Sequence, residues 1–215
     1  MSQIPEFLVA VSISALPTVV AIIAHEIMHA VVALRLGDDT ALRAGRLTLN
    51  PISHIDFFGT ILLPAALLFF HLPVFGYAKP VPVDFSRLRD GRTGMMEVAA
   101  AGPLTNLTLA VLSALGLRMA MRFVAGPWGA QIALPIAYML QASIVINIVL
   151  AVFNLFPLLP LDGGRVLIGL LPLRAARAFA STERYGILIL LMLLYTGSVG
   201  MLINPIIDAI VRMLI

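Results

Sequence analysis

The stretch His25-Glu26-Ile27-Met28-His29 lies inside an apolar run that extends from about Ile4 to Leu36. Residues four apart lie on one face of a helix, so both imidazoles can reach the same metal ion. Glu26 beside them can accept a proton from a metal-bound water, and such a ligand set with one open position suits catalytic zinc. The alternative is two packed histidines beside a buried carboxylate. Because ionisable side chains inside an apolar segment are costly and usually functional, we favour the metal site.

The composition is that of a membrane protein. The chain has 215 residues, of which 60% are hydrophobic and 12% charged, with a mean hydropathy of +1.03. Soluble domains carry about 25% charged residues. The formal charge of +3 is spread thinly through loops, which indicates topology-setting charge and not a nucleic-acid surface. The absence of cysteine excludes disulfides and thiolate ligands.

The hydropathy pattern predicts an all-α polytopic membrane protein with about four to five transmembrane helices, organised as one domain over residues 1–215. No basic region or cleavage site precedes the first segment, so no removable signal peptide is expected. The predicted segments are 4–36, 57–70, 93–123, 131–158, 185–203 and a short amphipathic tail, 204–215.

Two predicted elements do not span. Residues 40–55 alternate leucine and alanine with arginine and threonine around Gly45, which predicts a short β-hairpin near the active site, ended by Asn50-Pro51. Residues 57–70 are apolar, but a run of about 14 residues is more often re-entrant than spanning. Whether residues 57–73 cross the membrane or re-enter it stays open at this point.

Two histidines leave a catalytic zinc one protein ligand short, and Asp162 is the best candidate for the third. It follows Pro157 and Pro160, which disfavour a continuous helix, and it precedes two glycines that permit a tight turn. Broken helix at membrane depth is tolerated where it lines a polar cavity. The alternative is a loop aspartate paired with Arg165.

The distribution of basic residues favours one topology. If 57–70 re-enters, two spans separate the histidines from Asp162, and all three ligands meet near one face. Loops 35–56, 72–92 and 162–184 would then hold most of the arginines and lysines, and only Arg118, Arg122 and Arg212 would lie outside. The positive-inside rule therefore predicts a multi-pass cell-membrane protein with its N-terminus outside and its active site toward the cytoplasm.

Taken together, these motifs resemble those of the site-2 protease family (peptidase M50) of intramembrane zinc metalloproteases. The resemblance covers most of the chain. It rests on HEIMH, on Ala-Gly-Pro at 101–103 with Asn106, and on the stretch from Asn154 to Gly164 that contains Pro157, Pro160 and Asp162. The short bacterial type, without PDZ or CBS domains, is the nearest branch, because Gly-Tyr-Ala-Lys-Pro occurs at 76–80.

The resemblance implies that His25, His29 and Asp162 bind one Zn²⁺ ion and that Glu26 is the catalytic base. It implies that Asn154 holds the substrate or the oxyanion. The expected partners are a membrane-embedded protein substrate and the lipid bilayer, with no nucleic acid, and the sequence does not fix the oligomeric state. The expected reaction is hydrolysis of peptide bonds in or near transmembrane segments of tethered proteins, as in regulated intramembrane proteolysis.

Other polar residues have weaker interpretations. His54 and Asp56 could form an auxiliary metal or proton site, although a solvated loop pair is the simpler interpretation. His71 is expected at the membrane interface. Asn106 could orient a ligand or bond between helices, and Gly102 fits close helix packing without any chemistry.

Two other functional classes use the same residues. A divalent metal transporter could use the histidines transiently, but such a path does not need Glu26, and the sequence has no repeated halves. A catalytically silent membrane-binding module is disfavoured by the intact motif and Asp162. If the chain is a protease, a helical substrate must unwind, and the predicted 40–55 hairpin could pair with it by β-addition.

Overall fold

The computed structural model describes residues 6–70 and 78–215. Within these ranges the protein consists of nine α-helices joined by shorter turns. The helices are α1 (Glu6–Arg35), α2 (Thr40–Arg43), α3 (Leu63–Phe69), α4 (Arg92–Met121), α5 (Leu134–Asn154), α6 (Asp162–Leu170), α7 (Leu173–Ala180), α8 (Glu183–Tyr195) and α9 (Ser198–Leu214).

Three of the described helices are long and apolar enough to cross a membrane, at residues 11–35, 92–121 and 129–154. A fourth span results if α7 and α8, which meet at an angle of 66°, are counted as one. The all-helical polytopic class therefore agrees with the prediction, although the number of spans lies at or below its lower limit. Residues 57–69 form a shorter apolar helix, below the roughly 20 residues that a crossing needs.

Helix α4 is central, because it packs against α1, α5 and α6. Small residues on α4, Ala110 and Ala114, are fully or almost fully buried against Ile144 and Ile148 of α5. Small side chains let helix backbones approach closely, which is the usual means of packing in a membrane. Helices α1 and α5 also pack against each other, so α1, α4 and α5 form one bundle around the polar residues described below.

The predicted β-hairpin at 40–55 is wrong, since no strand occurs in the part of the chain that the structure describes. Residues Thr40–Arg43 form one helical turn instead, and the Asp38 carboxylate accepts hydrogen bonds from the backbone N–H and the hydroxyl of Thr40. The backbone N–H of Arg46 then donates to the carbonyl of Ala41 at 2.9 Å. The residue types do alternate as in a strand, but the hydrogen bonds that Asp38 accepts from Thr40 favour a helical turn over strand pairing.

The predicted span 185–203 is also interrupted. Helix α8 ends at Tyr195, and Gly197 adopts φ of 73°, a left-handed conformation that glycine adopts without steric cost. Helix α9 begins at Ser198, so the predicted boundary of the tail at Asn204 lies inside a helix. The prediction for His71 falls outside the described residues.

A segment without helix or strand, residues 78–84, contacts α1, and we call it the strap. Its ends are held by polar groups: the N–H of Lys79 donates to the carbonyl of His54, and the N–H of Asp84 donates to the Asp38 carboxylate at 2.8 Å. The buried guanidinium of Arg46 donates to the carbonyls of Ser53, Lys79 and Pro80. A side chain therefore does for this backbone what a neighbouring strand would do in a sheet.

The Asp38 carboxylate is suited to this role. Burial raises its pKa, but hydrogen bonds from Thr40 and from the N–H of Asp84 outweigh burial, and the pKa lies below its ordinary value. The carboxylate therefore stays ionised and keeps accepting these hydrogen bonds at neutral pH.

Candidate metal centre

Three side chains from two distant parts of the sequence, α1 and the start of α6, converge beside α4. The Oδ2 atom of Asp162 lies 3.2 Å from Nε2 of His25 and 3.3 Å from Nε2 of His29. One ligand atom from each residue lies within 4.8 Å of the others, and both histidines are buried. The structure therefore brings together the two histidines and the aspartate that the sequence singled out.

The remaining ring nitrogens of the two histidines have hydrogen-bond acceptors on α4. His25 Nδ1 lies 2.6 Å from Oδ1 of Asn106, and His29 Nδ1 lies 2.7 Å from the carbonyl of Val98. A carbonyl oxygen can only accept, so the proton on each ring is at Nδ1. In the neutral rings each Nε2 then points a lone pair at Asp162, which is how metal-binding histidines are usually held.

This arrangement fits a cation. Asp162 Oδ2 is buried and has no hydrogen-bond partner in the described structure, although it faces two nitrogens with lone pairs. Three acceptors turned toward one another repel unless a positive charge lies between them. Ligand atoms about 2.0–2.2 Å from a tetrahedral zinc are about 3.3–3.6 Å apart, close to the two histidine–aspartate separations of 3.2 and 3.3 Å. Two imidazoles and one carboxylate are a set that binds zinc with an open fourth position.

Asp162 reaches the centre because the chain between α5 and α6 turns tightly, with backbone packed against backbone. Residues 155–161 are not helical, and Asp162 is the first residue of α6. A Cβ atom on Gly163 would lie 2.2 Å from the carbonyl oxygen of Leu155, so no larger residue fits there. The alternative partner, Arg165, instead donates to Glu183 at 3.3 Å and lies over the ring of Phe85.

Gly102 of α4 lies directly against the imidazole rings of His25 and His29. A Cβ atom at this position would lie 2.5 Å from Nε2 of His29 and 2.6 Å from Nε2 of His25. The sequence interpretation, close helix packing without chemistry, missed this contact. The signal was available as a glycine in Ala-Gly-Pro on the helix opposite the histidines, but only the helix register shows that it faces the imidazoles.

Glu26 is one residue after His25 and is held by the strap. Its Oε2 accepts a hydrogen bond of 2.9 Å from the backbone N–H of Val81. Pro80 and Pro82 on either side have no N–H, so Val81 supplies the donor at this point of the strap. One carboxylate oxygen is thereby fixed, and Oε1 is left to exchange a proton.

The other residues singled out from the sequence, Asn154, His54 and Asp56, make hydrogen bonds away from the three candidate ligands. Asn154 ends α5, and its Nδ2 donates to the carbonyl of Leu150 at 3.0 Å; no described contact joins it to the three ligands. His54 is only 3% exposed and donates from Nε2 to the carbonyl of Thr48, and Asp56 accepts from the N–H of Gly59. The solvated pair expected of His54 and Asp56 is therefore wrong, and the described residues contain no second cluster of metal ligands.

Comparisons with known proteins identify the family of this chain. The family model described as "Peptidase family M50" matches residues 118–196, which include Asn154 and Asp162. The Bacillus subtilis (strain 168) protein named "Putative zinc metalloprotease YwhC" is 37% identical over 193 residues, which are 86% of this chain and 81% of that protein. No solved structure matches. With a relative of this identity aligned over most of both proteins, the chain belongs to peptidase family M50.

Proposed function

We propose that this protein is an intramembrane zinc endopeptidase of the site-2 type, with His25, His29 and Asp162 as ligands of one Zn²⁺ ion. The observation that carries the proposal is the convergence of an unpartnered carboxylate oxygen and two imidazole nitrogens beside Glu26. Membership of a metalloprotease family and helices of spanning length support it.

Zinc, when bound, would polarise the peptide carbonyl and acidify water in the site. Glu26 would take a proton from the attacking water at its free carboxylate oxygen and deliver it to the amine that leaves. The N–H of Val81 holds the other oxygen, so the base keeps one orientation through both transfers. Burial of the histidines limits water around the site and strengthens these interactions.

The substrates would be membrane-tethered proteins cut in or near a transmembrane helix. Such a helix hides its carbonyls in hydrogen bonds to residues four positions later, so it must unwind before attack. Asn154, at the end of α5 just before the segment that delivers Asp162, is the residue we propose to hold the unwound substrate or the oxyanion.

We infer that the centre lies toward the cytoplasmic side, with the chain acting as one unit. The basic loops lie together at one end of the helices: the N–H of Arg89 donates to the carbonyl of Leu36, and Arg92 donates to the carbonyl of Leu171. The positive-inside rule places such an end in the cytoplasm.

Single cysteines provide a test of sidedness, because the chain has none of its own. Ala125→Cys, in the exposed turn after α4, should react with a membrane-impermeant maleimide in intact cells. Ser181→Cys, in the exposed turn after α7, should react only after the membrane is opened. Neither change alters charge, so neither should disturb the topology. The reverse pattern of labelling would place the centre on the outside.

Metal removal separates the protease from a transporter. Purified protein should contain one zinc per chain, and a chelator should abolish the appearance of new peptide termini when the protein is incubated with membranes of cells that lack it. Zinc should restore the activity, and magnesium should not, because nitrogen ligands select against magnesium. Zinc flux into proteoliposomes without any new termini would favour transport instead.

A further inference from the structure

A chain of buried amides and hydroxyls runs from the candidate metal centre into the interface of α4 with α5. Asn106 of α4 and Asn147 of α5 are 0% and 1% exposed, and neither is a candidate ligand. Asn106 Nδ2 donates to Oδ1 of Asn147 at 2.9 Å. Two fully buried amides are expensive in a membrane interior unless every donor and acceptor has a partner.

The outer end of this chain fixes the direction of its hydrogen bonds. Asn147 Nδ2 lies 2.9 Å from the carbonyl oxygen of Ser143 and 3.2 Å from the hydroxyl of the same residue. The carbonyl can only accept, so the amide nitrogen of Asn147 must face it. The amide oxygen of Asn147 is therefore the atom turned toward Asn106.

The orientation of the Asn147 amide in turn fixes the orientation of the Asn106 amide. Its amide nitrogen must donate to Asn147, and its second hydrogen points to the carbonyl of Ala21 at 3.2 Å. Both hydrogens are then used, and Oδ1 is the atom that faces Nδ1 of His25 at 2.6 Å. Since Oδ1 can only accept, the proton of His25 is held at Nδ1 and the lone pair at Nε2.

We propose that Asn147 is a positioning residue that sets the tautomer and orientation of His25 through Asn106, although it contacts no candidate ligand. The proposal rests on the proposed zinc site. The alternative amide orientation would turn an oxygen toward each of two backbone carbonyls, at Ala21 and Ser143, which disfavours it. The backbone of α5 thereby selects which nitrogen of a histidine on α1 can bind metal.

The test is a zinc-affinity cycle with Asn106→Leu, Asn147→Leu and the double variant, measured by competition with a fluorescent chelator. Leucine keeps the branched heavy-atom skeleton of the asparagine side chain without its hydrogen-bonding groups, and it is tolerated in a membrane interior. Loss of an outer hydrogen bond typically weakens metal binding 10- to 100-fold, and we expect about tenfold for Asn147→Leu and more for Asn106→Leu. Because Asn147 acts through Asn106, the double variant should bind zinc like Asn106→Leu alone.

Ser143→Ala is the matched control. It removes a hydroxyl from the same chain of hydrogen bonds but keeps the carbonyl that fixes the direction, so zinc affinity should stay within about twofold of the wild type. Unchanged affinity in Asn147→Leu, or losses that add in the double variant, would overturn the proposal. Asn147→Ala replaces Asn147→Leu if the leucine variant does not fold.

A second measurement needs no metal. Nitrogen-15 spectra of the metal-free protein, with its four histidines labelled, should show His25 protonated at Nδ1, and Asn147→Leu should give a mixture of tautomers. Retention of the Nδ1 form in that variant would overturn the proposal. If the wild type shows the expected tautomer but binds no zinc, the proposed function fails and this inference stands, so the two failures are distinguishable.

Discussion

Glu26→Gln should retain zinc and lose at least about 100-fold of its proteolytic activity, because a general base contributes about 10²–10⁴-fold. The amide oxygen of glutamine can still accept the hydrogen bond from the N–H of Val81, so the strap should stay in place. The amide cannot take a proton at neutral pH. The measurement counts new termini in membrane proteins of cells that produce either form, together with zinc content per chain.

Glu97→Gln is the matched control for this experiment. It makes the same chemical change at an exposed position of α4, in the same chain and at the same expression level. Activity should equal that of the wild type. Undiminished proteolysis by the Glu26→Gln protein would refute the assignment of the base, whereas loss of zinc together with activity would mean that Glu26 supports the metal directly.

The second large effect is expected from Gly102→Ala, a change of one methyl group. The added Cβ would lie 2.5 Å from Nε2 of His29 and 2.6 Å from Nε2 of His25. Both distances are shorter than non-bonded heavy atoms can approach. Either the imidazoles turn away or α4 moves outward, and both separate the ligands. We expect zinc affinity to fall at least about 100-fold.

Gly116→Ala provides the control, since it adds the same methyl group to the same helix. Its Cβ would meet only the end of the Leu140 side chain, at 3.3 Å, which can shift. Alanine favours helix over glycine by roughly 0.5–1 kcal/mol, so Gly116→Ala should keep wild-type zinc affinity and should not lower the thermal stability of the metal-free protein. Wild-type zinc affinity in Gly102→Ala would show that the imidazoles do not rest against this position.

The sequence was sufficient to single out the candidate ligands because ionisable groups that are costly in a membrane stand out from their apolar surroundings. His25, His29 and Asp162 are ionisable groups in apolar or proline-broken stretches, and the structure brings them together. The hydropathy pattern likewise located α1, α4 and α5, since each is apolar over a stretch long enough to cross a membrane. Features of this kind depend on the local composition of the chain, so they can be recognised without knowing which residues are in contact.

What the sequence could not predict depends on side-chain hydrogen bonds to the backbone, on the register of packed helices and on one backbone conformation. The alternation around Gly45 is that of a strand, but Asp38 and Arg46 satisfy the backbone there with side chains. Gly102 and Asn147 look like ordinary packing residues until the register of α4 against its neighbours is known. The break at Gly197 was missed because the hydropathy continues unchanged through it.

The candidate ligands come from positions 25, 29 and 162, so a bound ion would tie the first helix to the second half of the chain across more than half its length. A ligand that binds only the native state stabilises it, and the stabilisation grows with the logarithm of free metal concentration. A bound ion would thus stabilise the fold as well as support the reaction. Cellular zinc supply would therefore affect the free energy of unfolding of the protein in addition to its rate of proteolysis.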